Sequence, residues 1–186
     1  MKKLILAVLA AVVFGGFGAS GAAAQSDNPM VGGAAMSKTK DIVDNAMNSK
    51  DHTTLVAAVK AAGLVETLKG KGPFTVFAPT NSAFSMLPAG AVDNLLKPEN
   101  KATLQNVLTY HVVAGNMDSQ MIMNAIKKGN GTATLKTVAG GSLKARMDGS
   151  ALVLTDEKGG TSRVTIADVR QSNGVIHVVD TVLMPR

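Results

Sequence analysis

The pattern of apolar and polar positions divides the chain into a helical first part and a β-rich second part. Before Gly129, apolar residues recur mostly at helical spacing; after it, the spacing changes to two, and Gly, Asp, Asn or Ser separates short runs. Helices followed by strands favour an α+β fold over alternating parallel units. The predicted helices are residues 41–47, 51–62, 64–68, 99–108 and 119–128. The predicted late strands are residues 132–138, 142–147, 151–156, 162–169 and 174–184.

Between the first helices the sequence predicts one more strand and one more short helix. Phe74 and Phe77 delimit a compact apolar strand that follows a Gly-Pro turn. Asn81 is placed to cap the next helix, because its side-chain oxygen can accept a hydrogen bond from a free amide of the first turn. Phe84 lies on that helix and is expected in the core. Residues 110–113 are predicted to be extended, and the last run is apolar enough for a central strand.

The N-terminus has the pattern of a secretory signal peptide. Lys2 and Lys3 precede an apolar run, and small residues end it at an A-x-A site that predicts cleavage after Ala24. An uncleaved membrane anchor is the weaker alternative, since glycines interrupt the run well short of the ~20 apolar residues that a span needs. The predicted organisation is a signal peptide at residues 1–24, a flexible linker at 25–38 and one domain at 39–186. The mature product is expected to be periplasmic or secreted, and not membrane-spanning.

Composition excludes several classes of protein. The 186-residue chain has no Cys, which excludes disulfides, thiolate metal sites and cysteine nucleophiles. Loss of Lys2 and Lys3 with the leader lowers the formal charge from +6 to +4. Nucleic-acid binding is not expected, because single-strand binders need stacking rings and the four mature aromatic residues lie in apolar contexts. The remaining positive charge is consistent with attraction to anionic cell-surface polymers.

The three mature histidines do not have metal-site spacing. His52, His111 and His177 are far apart in sequence, and no H-E-x-x-H is present. A metal site would need His111 and His177 to lie close together near Asp180. The preferred interpretation is that the histidines are core residues with hydrogen-bonding partners. Methionines at 117, 121 and 123 suit either Cu(I) or core packing, and packing is preferred. No cofactor is expected.

Nothing in the chain indicates an enzyme. No G-x-S-x-G elbow or P-loop occurs in the mature sequence. Ser82, His111 and Asp180 are the three residue types of a catalytic triad. Their spacing in the sequence does not indicate that their side chains meet. Asp180, inside an apolar run, must be paired or near the surface, because an unpaired buried carboxylate is too costly.

Three segments together resemble the fasciclin domain family. They are TVFAPTNSAFSML at residues 75–87, LTYHVVAG at 108–115 and NGVIHVVDTVLMP at 173–185. Their order and spacing also match, over about residues 38–185. Position 82 departs from the family, with Ser where an acidic residue is common. The resemblance implies a wedge-shaped β-sandwich of about seven strands with helices at one side.

The resemblance also implies a function. Fasciclin domains are associated with adhesion and with surface or matrix interaction, and are not known as enzymes. We therefore expect an adhesion or interaction module, a monomer, whose partner is a protein or a cell-surface or matrix polymer. A minority of relatives carry apolar pigments, so a carrier of a carotenoid-like ligand between the motif loops is the alternative. The predicted partner-binding residues are Tyr110, His111, Asn116 and Asp118. The predicted structural residues are Phe74, Phe77, Asn81, Phe84, His177 and Asp180.

Overall fold

The computed structural model describes residues 28–186, so the predicted leader and its cleavage site lie outside the described residues. Seven α-helices occur within this range. All seven precede the final run of five strands, and short 3-10 turns at Lys50–His52 and Pro98–Asn100 lead into α2 and α6. The helices are α1 (Ile42–Asn48), α2 (Thr53–Ala62), α3 (Val65–Lys69), α4 (Asn81–Ser85), α5 (Ala91–Leu95), α6 (Lys101–Tyr110) and α7 (Ser119–Lys128).

Local sequence explains where several helices begin and end. Asp41 caps α1 by accepting a hydrogen bond from the Asp44 amide at 2.8 Å. Asp118 caps α7 in the same way, through the Met121 amide at 2.9 Å. Gly63 ends α2 with φ +71°, a left-handed conformation that glycine adopts without steric cost.

Nine strands occur in the described range, two of them in a small N-terminal hairpin. The other seven form one mixed sheet with the order β4-β3-β9-β8-β7-β6-β5. All neighbours are antiparallel except β3 and β9, which run parallel. The strands are β1 (Met30–Val31), β2 (Ala34–Ala35), β3 (Phe74–Pro79), β4 (Val112–Ala114), β5 (Ala133–Lys136), β6 (Ser142–Asp148), β7 (Ala151–Thr155), β8 (Thr161–Gln171) and β9 (Gly174–Val179).

The sheet curls until its two edge strands meet. Val113 of β4 bridges to Thr137, just after β5, and the Val138 amide donates to the Val112 carbonyl at 2.8 Å. The arrangement confirms the α+β class and the seven strands. It also confirms a central position for the last apolar run, since β9 lies between β3 and β8 and all six of its residues are buried.

The two faces of β3 and β9 serve two separate cores. Val76 and Ile176 face a first core that the helices α1, α2, α4 and α6 cover. Phe77 and Val179 face a second core inside the curled sheet, which α7 closes with Ile122. A sheet that is buried on both faces reads as a nearly continuous apolar run, and both strands have that pattern.

Residues 28–38 are not the flexible linker that their composition suggested. The hairpin of β1 and β2 places Val31 and Met36 in the first core. Asn28 exchanges two hydrogen bonds with the backbone of Arg170 on β8, at 2.6 and 3.1 Å. Buried Asn45 of α1 bonds both Ser37 backbone groups, so this part of the chain is packed onto the domain.

Two local predictions were also wrong. Thr80, not Asn81, caps α4, by accepting from the Ala83 amide at 3.2 Å. Asn81 instead accepts from the Thr54 amide at 3.0 Å, and so it caps α2 from 27 positions away in sequence. Tyr110 is the last residue of α6 and His111 its C-cap, so the predicted extended segment begins only at Val112.

Candidate functional site

The turn at residues 115–118 lies between β4 and α7, and we call it the β4–α7 turn. Thr75 of β3 attaches the turn to the sheet. Its hydroxyl donates to the Gly115 carbonyl at 2.7 Å and accepts from the Met117 amide at 2.8 Å. The Gly115 amide in turn donates to the Pro73 carbonyl at 2.9 Å. Three hydrogen bonds therefore fix the turn to the start of β3.

His177 of β9 forms the second attachment of the turn. Its Nε2 donates to the Met117 carbonyl at 2.9 Å, while Nδ1 accepts from the Asp168 amide at 3.3 Å. Its ring stacks on Phe77, with centroids 5.5 Å apart. Burial lowers the pKa of His177 below its usual value, so the neutral imidazole that these partners require is favoured.

Asp168 and Arg170 of β8 form the third attachment. β8 is bulged here, and Asp168 has φ +59°, which directs its carboxylate at Ser119. That carboxylate accepts from the Ser119 amide at 2.7 Å and from its hydroxyl at 2.5 Å. Arg170 forms an ion pair with Asp118 at 3.3 Å. The Met121 amide and this guanidinium lower the pKa of Asp118, which stays ionised as a helix cap.

The four predicted partner-binding residues are brought near this turn but do not share a role. Tyr110 and His111 are 0% and 3% exposed, so neither side chain offers a surface to a partner; this part of the prediction is corrected. Asp118 is half-buried, and its carboxylate already interacts with the Met121 amide of α7 and with Arg170. Asn116 is the exposed one of the four.

Tyr110 and His111 instead join distant parts of the fold. The Tyr110 hydroxyl donates to the Ser142 carbonyl at 2.8 Å and accepts from the Glu157 amide at 3.1 Å. His111 Nδ1 donates to the Val107 carbonyl at 2.8 Å, and Nε2 accepts from the Leu183 amide at 3.0 Å. Burial lowers the pKa of His111 to about 4. The interpretation of His111 and His177 as core histidines with partners agrees with this geometry.

The predicted structural residues lie where packing or hydrogen bonds explain them. Phe77 and Phe84 are buried, one in each core, while half-buried Phe74 packs against the first. Asp180 lies just beyond β9 near the surface, where it accepts from the Arg163 amide at 2.8 Å. Sequence reasoning missed Thr75, Asp168 and Arg170. An acidic residue in the apolar run of β8 was the available signal, since such a residue needs a partner.

The third motif also begins with residues that hold the fold together. Asn173 accepts from the Ile42 amide at 3.1 Å and donates to the Leu68 and Gly70 carbonyls, at 2.7 and 3.1 Å. A Cβ on Gly174 would lie 2.0 Å from the Phe74 carbonyl oxygen, so only glycine fits there.

The described residues contain neither a metal-type cluster nor an assembled triad. Within residues 28–186, no group of three or more His, Asp or Glu side chains is placed to hold a metal ion. His111 uses both ring nitrogens on backbone groups, and Ser82 is exposed on α4. In the same range, no helix has both the length and the apolar character needed to cross a membrane.

An apolar cleft lies between the sheet and the helices α1, α2 and α3. Its walls include Val43, Val59, Leu68, Phe74 and Ile176, and its cavity volume is about 60 Å³. Small-molecule sites typically have ~300–1,000 Å³. The cleft as it stands is therefore too small for a pigment.

Comparison with known proteins identifies the class of this fold. The model of the fasciclin domain matches residues 50–185. A solved FAS1 domain pair from the insect cell adhesion molecule Fasciclin I shares the fold, with a TM-score of 0.55 and 24% identity; the match covers 70% of this chain and 43% of that one. The chain belongs to the fasciclin domain family.

Relatives occur in bacteria and animals. Protein sll1483 of Synechocystis is 45% identical over 157 residues, which cover 84% of this chain and 79% of that protein. Immunogenic protein MPB70 of Mycobacterium bovis is 37% identical, over 75% of this chain and 66% of its own. Transforming growth factor-beta-induced protein ig-h3 of the pig is 36% identical over 77% of this chain, but the match covers only 19% of that protein.

Proposed function

We propose that this chain is an exported, non-enzymatic interaction module that binds a protein or polymer of the cell surface or matrix. The contact is the β4–α7 turn, with Asn116 at its exposed point. The observation that carries the proposal is the construction of the turn: side chains from three strands attach it, yet Asn116 remains exposed. Loops that a rigid scaffold holds in place are the usual site of recognition.

Two further observations support this proposal. The chain is a fasciclin domain, and the insect protein that shares its fold is a cell adhesion molecule. The predicted leader at residues 1–24 would deliver it outside the cytoplasm. A turn fixed before binding loses little conformational entropy when a partner docks, which favours affinity.

The direct experiment compares Asn116→Ala with Asn48→Ala. Both residues are exposed asparagines, and Asn48 is the last residue of α1, an element that is not part of the β4–α7 turn. Binding of each labelled protein to cell envelopes of the source organism is titrated. We expect Asn116→Ala to weaken binding by roughly fivefold or more, as for a contact residue, and Asn48→Ala to bind like the wild type. Equal binding by all three proteins would place the contact elsewhere. Asp118→Ala is a poor probe, because it also removes the cap of α7.

The second candidate function is a carrier of an apolar ligand, and the observation that favours it is the apolar cleft. A carotenoid-like molecule would need α1 and α3 to move away from the sheet, since the cavity holds only about 60 Å³. Organic extraction of protein purified from its native source tests this function. A stoichiometric apolar compound in the extract would support the carrier, and a colourless, empty extract would reject it.

A further inference from the structure

The outer face of strands β5 to β8 carries a group of basic side chains. Residues on these strands alternate, and the inward set, including Leu135, Leu143 and Leu154, fills the second core. Most of the outward set is exposed. We call Lys136, Lys144, Arg146 and Arg163, with the neighbouring Thr134 and Thr161, the outer basic face.

Strand register gives the backbone spacing of these basic residues. Lys144 and Arg146 are two residues apart on β6, which places them about 7 Å apart along the strand. Arg146 and Arg163 both pair with Val153 of β7, from opposite sides, so they lie about 10 Å apart across the sheet. The cations therefore form an array over three strands rather than a single isolated charge.

Val153 shows how the two arginines are held. It is only 4% exposed, although it points outward and belongs to neither core. Its two register partners, Arg146 and Arg163, flank it on the same face, where the methylene stems of long basic side chains cover neighbouring apolar surface. The array is thus supported by packing as well as by the sheet.

Most of the positive charge on this face is unpaired. Arg163 forms an ion pair with Asp148 at 3.1 Å, and both groups are about half exposed. Within residues 28–186, no carboxylate forms an ion pair with Lys136, Lys144 or Arg146. Two carboxylates at the edge, Glu157 and Asp180, accept from the backbone amides of Ser142 and Arg163.

We propose that the outer basic face binds a linear acidic polysaccharide. Basic side chains that leave the backbone about 7–10 Å apart suit a polymer with charges at regular intervals, and threonine hydroxyls between them suit its hydroxyl groups. This site is additional to the β4–α7 turn and does not depend on it.

The chemistry of the face favours a polysaccharide over other polyanions. No aromatic ring lies on β5–β8, so bases of a nucleic acid have nothing to stack on. The exposed large apolar residues of the described range are Met30, Met47, Met86, Met121 and Val138, and none of them is on these strands. Insertion into a lipid surface needs such residues.

The experiment measures binding to immobilised alginate, a polymer of uronic acids, with neutral dextran as the control polymer. The test variant is Lys144→Gln/Arg146→Gln. Its matched control is Lys60→Gln/Lys101→Gln, which removes the same charge from exposed positions on α2 and α6. We expect wild-type binding at low salt that is lost in about 1 M NaCl, where the Debye length is about 3 Å. The test variant should bind roughly tenfold more weakly, and the control like the wild type.

Each other outcome counts against the proposal. Equally weakened alginate binding by the control variant would show that only the net charge of the protein matters. Binding to dextran would show that the protein does not recognise the anionic groups of the polymer. Tighter binding to phosphatidylglycerol vesicles or duplex DNA than to alginate would identify another class of partner. Should the test variant unfold, Lys136→Gln/Lys144→Gln, which leaves the cover of Val153 intact, replaces it. Asn116→Ala should bind alginate normally, which separates this site from the β4–α7 turn.

Discussion

His111 is buried, and both of its hydrogen bonds require a neutral ring. The Val107 carbonyl can only accept, so Nδ1 carries the proton, and the Leu183 amide can only donate, so Nε2 must be unprotonated. A second proton would leave Nε2–H facing an amide N–H. Desolvation and this arrangement act in the same direction, and the pKa of His111 falls to about 4.

This lowered pKa predicts that the protein loses stability in mild acid. Because the folded-state pKa of about 4 lies below the unfolded value of 6.5, the unfolded state binds the proton first. The contribution is therefore fully present above about pH 6.5 and is lost as the pH falls towards 4, by up to about 3 kcal/mol. Urea unfolding at several values between about pH 7.5 and pH 4.5 measures it.

His111→Gln is the control for this prediction. The variant should be less stable at neutral pH, but its free energy of unfolding should fall less steeply with acid. Some slope remains, because burial also lowers the pKa of His52 and of His177. The pKa of Asp118 lies below 3.8, so its contribution is lost only outside this window. Equal slopes for the wild type and the variant would contradict the assignment to His111.

The N-terminal hairpin and α1 are packed parts of the domain. Met36 is 2% exposed in the first core, whereas Met30 on β1 is 59% exposed. We expect Met36→Ala to lower the free energy of unfolding by about 2 kcal/mol or more, since it opens a cavity. Met30→Ala, the same change six residues away, should stay within about 0.5 kcal/mol of the wild type. Chemical denaturation of both variants tests this, and similar losses would mean that the hairpin is not packed as described.

The sequence predicted the elements better than it predicted their connections. Helical and alternating periods locate α1, α2, α7 and the late strands, because those periods depend on neighbouring residues. Asn81 was assigned to the wrong helix because its partner, Thr54, is remote in sequence. Residues 28–38 have a loop-like composition, and their order comes from Asn28, Asn45 and their distant partners. Tyr110 was placed in a strand because the residues after it are β-branched.

At the scale of the whole molecule, β3 and β9 couple the two cores. Val76 and Ile176 face one core and Phe77 and Val179 the other, so neither core can open without disturbing the same two strands. We therefore expect one cooperative unfolding transition. Tyr110 is the single tyrosine and lies in the second core, so its fluorescence reports there, while circular dichroism reports on the helices that cover the first. Coincident midpoints are expected; separate midpoints would show that the cores unfold independently.

The candidate site was only partly predictable for the same physical reason. The motifs around Tyr110 and His177 pointed to the β4–α7 turn, because they supply residues that build it. Their roles follow from contacts that no local pattern encodes: Thr75 and His177 reach the turn from strands about 40 and 60 residues away in sequence. Burial then reverses the first expectation for Tyr110 and His111, which stabilise the region without offering a surface to a partner.

We propose that the exposed β4–α7 turn contacts the partner while the buried motif residues hold the turn in place. Photo-cross-linking tests this most directly, with a photoreactive amino acid at position 116 in one protein and at position 48 in another. After each is bound to source-organism envelopes and irradiated, we expect a discrete cross-linked product from position 116 and none from position 48. Cross-linking from position 48 alone, or equally from both positions, would contradict it.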